Sequence, residues 1–382
     1  MKVLTQIARI VVGLLFIFSG LVKANDPLGL SYKMQEFFEI WGWSGLHDYT
    51  LLSSILMNAF EIIAGFALLL GWRIRLFTWL LLLLIVFFTF LTGYTYITGK
   101  PANCGCFGDC LPITSFTSFM KDVILTVLIT FLCWQQRHIK PLFGPRLNTG
   151  LMLLVTLFSF GLQWYALTYL PPVDCLPFKK GNNIPEKMQP PPGAVPDSFA
   201  IRFIYEKEGK EYEFSPAELP ADLDAYTFKS RKDKLIRAGN AIPPIKGFRL
   251  SAAGDADATQ EVLISSAALV LFCENFETVP FKKWSSTFGK IVDQANKKNI
   301  PVYVVTSNRD AINQEFAGTT FAGLPVLTAD AILIHTAART NPCLFLLESG
   351  TIIDKQGYRR LDRILKQVEN IPALNTPATL DR

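Results

Sequence analysis

The densest chemistry in this 382-residue chain is the segment 103–110, Asn-Cys-Gly-Cys-Phe-Gly-Asp-Cys, which sets the thiols of Cys104, Cys106 and Cys110 in one short loop. Cys104 and Cys106 flank a single glycine, too short a spacing for an easy unstrained bridge. Cys106 with Cys110, or either of them with Cys175, can meet the geometry of a disulfide. A bridge that is strained, or that has alternative partners, is the easier one to reduce and exchange. Three readings are open: a thiol–disulfide exchange centre, a structural staple of the loop, and a soft-metal cluster. No histidine lies near enough in sequence to complete a metal set, and no metal is assigned. His47, His138 and His335 are each isolated from another ligand or nucleophile, and the chain has no P-loop, dinucleotide signature or hydrolase elbow.

The loop lies between two strongly apolar segments. With half of its residues hydrophobic and thirty phenylalanines, the chain is too apolar for one water-soluble domain. Five spans are expected, at about residues 5–22, 51–70, 76–97, 116–134 and 151–170. Val22 and Ala24 fit a signal-peptide cleavage site, but the further spans favour retention of the first as a helix. The aromatic connection 23–49 suits either a helix at the lipid–water boundary or a buried plug. Glu61, within the second span, must point into the bundle, as a hydrogen-bond partner of a neighbouring helix or as a proton relay. The net charge of +5 is not a nucleic-acid footprint, because the basic residues cluster at the N-terminus, at Arg73 and Arg75, and at Arg137, Lys140 and Arg146. These are alternate connections, which puts the N-terminus in the cytoplasm. The cysteine loop, Cys175 and the whole tail then share the outer side, where close thiols tend to be oxidised.

Five domains or segments are read in order: a membrane domain to 175, a proline-rich linker over 176–198, a small β-hairpin and helix extension over 199–240, an α/β domain over 241–372, and a flexible tail over 373–382. Within 241–372 the pattern gives the order β-α-β-α-β-β-α, with a proline just before the last hairpin. Cys273 at the end of the central strand and Cys343 at the start of its antiparallel neighbour are read either as buried free thiols or as an electron relay.

The opening through Phe18-Ser19-Gly20-Leu21-Val22-Lys23, Glu61 in the second span, and Asn103-Cys104-Gly105-Cys106-Phe107-Gly108 between two spans together resemble the DoxX and MauE group of bacterial membrane proteins. The resemblance covers roughly the first 140 residues and implies a four-helix DoxX-like core, here with a fifth span. The arrangement is also similar to vitamin K epoxide reductase relatives, which would make a quinone the one cofactor to consider. No Cys-x-x-Cys pair occurs in a span, so the residues themselves imply no cofactor.

The C-terminal part resembles thioredoxin. The fold class is thus an α-helical membrane bundle followed by an α/β thioredoxin-like soluble domain. The resemblance places the family's active-site pair at Glu277 and Pro280, neither a cysteine, and its cis-proline at Pro342. A domain without the pair is expected to bind polypeptide beside Pro342. What the resemblances imply is a protein of the bacterial cytoplasmic membrane in which Cys104, Cys106, Cys110 and Cys175 exchange disulfides with periplasmic clients. The alternative is a non-catalytic scaffold that docks an envelope protein or membrane complex. Lipid is a partner on either reading, and nucleic acid on neither.

Overall fold

The structure is a computed structural model that describes residues 2–101, 108, 110–111, 113–220, 222–237, 239–276 and 279–374. It opens with α1 (Lys2–Asn25), α2 (Pro27–Ile40), α3 (Thr50–Leu70), α4 (Ile74–Thr98), α5 (Ser115–Gln135) and α6 (Pro145–Thr168). Among the described residues five helices, all of these but α2, are long and apolar enough to cross a membrane. At 1.5 Å per residue, α1 reaches about 36 Å, enough for a hydrocarbon core of about 30 Å. The chain is a membrane protein.

Glycines bring α1 and α3 together. A Cβ on Gly65 would stand 2.8 Å from the Gly13 carbonyl oxygen and 3.0 Å from Ile17 N, and one on Gly20 would stand 2.9 Å from Ile62 N. Those neighbours are backbone atoms that cannot step aside, so the pair depends on small residues for its close approach. Gly65→Leu should therefore cost about 1–3 kcal/mol through overpacking, read as a lower unfolding temperature of the detergent-solubilised protein. Gly161→Leu is the control, since a Cβ there meets nothing within 4 Å.

Arg9 is the lone charge in the apolar run of α1 and is only 5% exposed. Its guanidinium donates to Leu68 O at 2.8 Å and to Leu69 O at 2.6 Å. A third bond, 3.3 Å long, goes to Lys140 O. It thereby adds donors to carbonyls at the C-terminus of α3, where Leu68 O also accepts from Gly71 N at 3.3 Å. The short α2 starts on Asp26, whose side chain accepts from Gly29 N at 3.2 Å. Bonds from Ser54 Oγ to Pro27 O and between the Ser31 and Thr50 hydroxyls tie α2 to the start of α3.

The bundle and the C-terminal α/β domain belong to one compact unit, and Asn182–Phe248 forms a second. The second unit holds α7 (Ile184–Lys187), β1 (Ser198–Lys207), β2 (Lys210–Phe214) and β3 (Thr227–Arg237), in the sheet order β2-β1-β3. Glu208 and Gly209, both at positive φ, close the expected hairpin as a two-residue turn. The helix expected within 199–240 is replaced by β3. Its antiparallel ladder with β1 runs from Ser198↔Arg237 to Glu206↔Thr227, and it joins Phe228 to the aromatic group of Tyr205. The strand is fixed by this tertiary pairing rather than by local propensity.

The α/β domain follows with α8 (Thr259–Ile264), β4 (Ala268–Phe272), α9 (Ser285–Lys297), β5 (Val302–Thr306), α10 (Arg309–Phe316), β6 (Val326–Thr328), α11 (Ala331–Ala337), β7 (Cys343–Glu348), β8 (Thr351–Gly357) and α12 (Leu361–Asn370). The sheet order is β6-β5-β4-β7-β8; β4, β5 and β6 are parallel, and β7 and β8 run antiparallel. Every residue of β4 and β5 is buried, as expected of strands covered on both faces. Leu269, Leu271, Trp284, Phe288, Ile291 and Ile364 share the main core. The Asn341–Pro342 peptide is cis and leads directly into β7. This is the thioredoxin-like topology, with α8, β6 and α11 added to the order read from the sequence. All three are too short to leave a periodic signal.

Candidate functional site

Cys104 and Cys106 lie outside the described residues. Cys110 is disulfide-bonded to Cys175 with the Cα atoms 4.8 Å apart, which joins the α4–α5 connection to the segment after α6. The Asn25 amide at the end of α1 holds that segment from both sides: Nδ2 donates to Val173 O at 2.8 Å, and Oδ1 accepts from Val173 N at 2.9 Å. Asp174, next to the disulfide, meets Lys355 Nζ of β8 at 2.6 Å. The bond therefore sits where the ends of three bundle elements meet the α/β domain.

The face of that domain beside the cis-proline is turned onto the bundle. Arg339 Nε donates to Asp26 Oδ2 at 2.8 Å. The Tyr32 ring of α2 stacks on His335 with centroids 4.4 Å apart, and His335 Nε2 lies 2.7 Å from Glu274 Oε2. Burial pushes the Tyr32 phenol up to about 12 against the opposing pull of Arg339, so the ring stacks as a neutral group. Asn341 closes the corner: its Oδ1 accepts from Glu274 N at 3.0 Å and its Nδ2 donates to Asn275 O at 2.7 Å. Arg360 completes the contact, 4.2 Å over the Tyr169 ring. His335 is thus not isolated, although the residues that meet it are distant in sequence.

Cys273 and Cys343 are free and fully buried. Cys343 faces Phe272 across the β4–β7 ladder, so by strand alternation the Cys273 side chain leaves the sheet on the opposite face, with Leu269 and Leu271. Burial pushes both thiols up to about 12. A thiol must ionise to attack a disulfide, and burial opposes that ionisation at both positions. At neutral pH a maleimide should leave both untouched in the folded protein and label both after denaturation, read by peptide mass spectrometry. Pro342 is buried and Pro280 is exposed just before the turn at Phe281–Lys283, while Glu277 lies outside the described residues. Among the described residues no group of three metal-ligating side chains could hold an ion.

Glu61 faces into the bundle, fully buried, in an ion pair with Lys23 of α1. Lys23 also lies 4.8 Å over the Phe88 ring of α4. One turn of helix away, the buried Asp122 of α5 accepts from Thr92 Oγ1 at 3.0 Å and meets Lys121 Nζ at 2.9 Å. These two charged pairs border an apolar cavity of about 260 Å³ enclosed by α1 to α5. Sequence reasoning found Glu61 but missed Lys23, Asp122 and the cavity. The available signal was that Lys23 and Asp122 are charges at span ends that need partners when buried.

Residues 1–135 match the family described as methylamine utilisation protein MauE, and residues 199–238 match a domain of unknown function, DUF8463. No curated protein matches the chain. Among solved structures, Xanthomonas campestris peroxiredoxin Q is 13% identical, covering 32% of this chain and 90% of its own, with a TM-score of 0.25. The exposed lipoprotein thioredoxin of Streptococcus pneumoniae is 14% identical, covering 32% and 98%, with a TM-score of 0.26. Yeast Sco1 with copper bound is 15% identical, covering 35% and 94%, with a TM-score of 0.25.

Proposed function

We propose that this membrane protein carries out thiol–disulfide exchange for exported proteins through the loop of Cys104, Cys106 and Cys110, with Cys175 as the alternative partner of Cys110. The observation that carries the reading is the Cys110–Cys175 disulfide, which stands four residues from Cys106 at the junction of bundle and α/β domain. A disulfide needs an oxidising compartment. Together with the basic turns on alternate connections, it supports a loop and tail on the periplasmic side of a bacterial cytoplasmic membrane, where the clients would be found.

In the exchange, the Cys106 thiolate attacks one sulfur of a client disulfide. The client S–S bond breaks, a Cys106–client bond forms, and the second client sulfur leaves as a thiolate. In the form in which the Cys110–Cys175 bond is reduced, attack by the Cys110 thiolate on Cys106 then frees the reduced client and leaves a Cys106–Cys110 disulfide, so the two electrons come from these two thiols. The α/β domain takes no chemical part, since its two thiols are buried and protonated. Replacing Cys106 with Ser should abolish capture of clients as mixed disulfides; capture equal to that of the parent overturns the assignment.

A second reading is favoured by a specific observation, the cover that Tyr32 and Asp26 give to the face beside Pro342. On that reading the protein is a non-catalytic scaffold whose thioredoxin-like domain is locked to its own bundle and presents its other faces to an envelope protein. Co-purification of a stoichiometric partner that persists without any loop cysteine supports this second reading over the first.

A further inference from the structure

We propose that Lys355 of β8 is a positioning residue for Cys175, and that through it the α/β domain sets how readily the Cys110–Cys175 disulfide opens and re-forms. The segment after α6 is laid against β8, the edge strand of the five-stranded sheet. Gly181 N donates to Ile352 O at 2.7 Å. The Asp174 carboxylate, one residue before Cys175, meets Lys355 Nζ at 2.6 Å. On the bundle side, Asn25 brackets Val173. None of these bonds involves sulfur, so each outlasts reduction of the disulfide and keeps Cys175 placed for its partner.

The fold alone does not require this lysine. Its side chain is only 6% exposed, and an apolar residue of similar length commonly fills such a site without loss of stability. What the ammonium adds is register, because it ties one residue of the segment to one residue of the strand. The neighbouring Asp354 is engaged by Gln356 Nε2 at 3.1 Å and by Gln367 Nε2 at 2.8 Å. Among the described residues, the carboxylate that meets Lys355 Nζ is therefore Asp174. A disulfide within one chain closes more readily the more of the time its reduced thiols spend in bonding geometry. The use of such placement rests on the exchange reading. Once client release has left a Cys106–Cys110 bond, the Cys175 thiolate attacks Cys110 Sγ. The Cys110–Cys175 bond forms, the Cys106–Cys110 bond breaks, and Cys106 leaves as a thiolate. The three cysteines hold one disulfide before and after, so nothing is oxidised or reduced overall, and Cys106 is returned to its attacking form.

The test is the equilibrium constant of the Cys110–Cys175 pair in the full chain in nanodiscs, with Cys104→Ser and Cys106→Ser so that no loop thiol competes. The protein is equilibrated in graded mixtures of oxidised and reduced dithiothreitol, quenched, alkylated and read by peptide mass spectrometry. Lys355→Met should lower the constant about tenfold, equivalent to about 30 mV for a two-electron couple. Asp174→Asn should lower it in the parent and add nothing in the Lys355→Met protein, because both changes break the same contact. Ile291→Ala opens a void in the same domain's core from α9, which takes no part in these contacts, and should leave the constant unchanged. A parent-like constant in Lys355→Met, additive losses in the double variant, or an equal shift in Ile291→Ala overturns the proposal. Should Lys355→Met fail to fold, Asp174→Asn against Ile291→Ala decides. The constant is read without a client and without Cys106, so its outcome is separate from that of client capture: a tenfold loss here beside a parent that captures nothing keeps the positioning role and removes the exchange reading.

Discussion

Lys23→Met should destabilise the bundle by about 3–5 kcal/mol, the usual cost of removing one partner of a buried ion pair. The reason is what stays behind. Glu61 is 0% exposed and, among the described residues, one of its oxygens has no partner, so the variant leaves neither oxygen a partner among them beside an apolar cavity. The double variant Lys23→Met, Glu61→Leu should recover most of the loss, because a buried pair replaced by apolar residues of similar size is often neutral. Lys33→Met tests the other limit. Its pair with Glu36 is half-exposed and should be worth under about 1 kcal/mol. Unfolding of the four proteins in mixed micelles reads the series. If the double variant is no more stable than Lys23→Met, the ion pair is not what holds α1 to α3.

Trp284→Ala should cost the α/β domain about 3–5 kcal/mol, the range for emptying a large aromatic site in a core. Trp284 is 1% exposed, stacks 6.1 Å from Phe276 and meets Phe281 and Phe288 at 5.0 and 5.6 Å. The neighbours are themselves fixed rings, so the void cannot collapse. A cost of that size is a large share of the typical stability of a domain, about 5–15 kcal/mol. Hydrogen exchange should show α9 and β4 losing protection while α1 and α3 keep theirs. Equal loss across the bundle would mean that domain and bundle unfold as one cooperative block.

Legibility from sequence followed how local the determining interaction is. The five spans depend on composition and length, and each lies close to its expected position. The thioredoxin-like core showed through the continuous apolar runs of β4 and β5 and through Pro342. The three-residue β6 and the seven-residue α11 carry too few positions for a period to show. The strand β3 was missed because its pairing with β1 is a tertiary fact that a charged stretch does not signal. Non-local contacts were the hardest to see. The ion pair of Lys23 with Glu61 joins residues 38 apart, and that of Arg339 with Asp26 joins residues 313 apart. The Cys110–Cys175 bond was within reach as one of several pairings, because cysteine chemistry restricts the candidates in a way that Lys and Glu do not.

The most direct measurement is alkylation with a mass-tagged maleimide in intact cells, with and without prior reduction, read by peptide mass spectrometry at Cys104, Cys106, Cys110 and Cys175. Thiol–disulfide exchange predicts a mixture of reduced and oxidised loop that shifts when the envelope's oxidising system is removed. A single Cys110–Cys175 disulfide, fully formed and indifferent to that removal while Cys104 and Cys106 stay in one unchanging state, contradicts the account and leaves the scaffold.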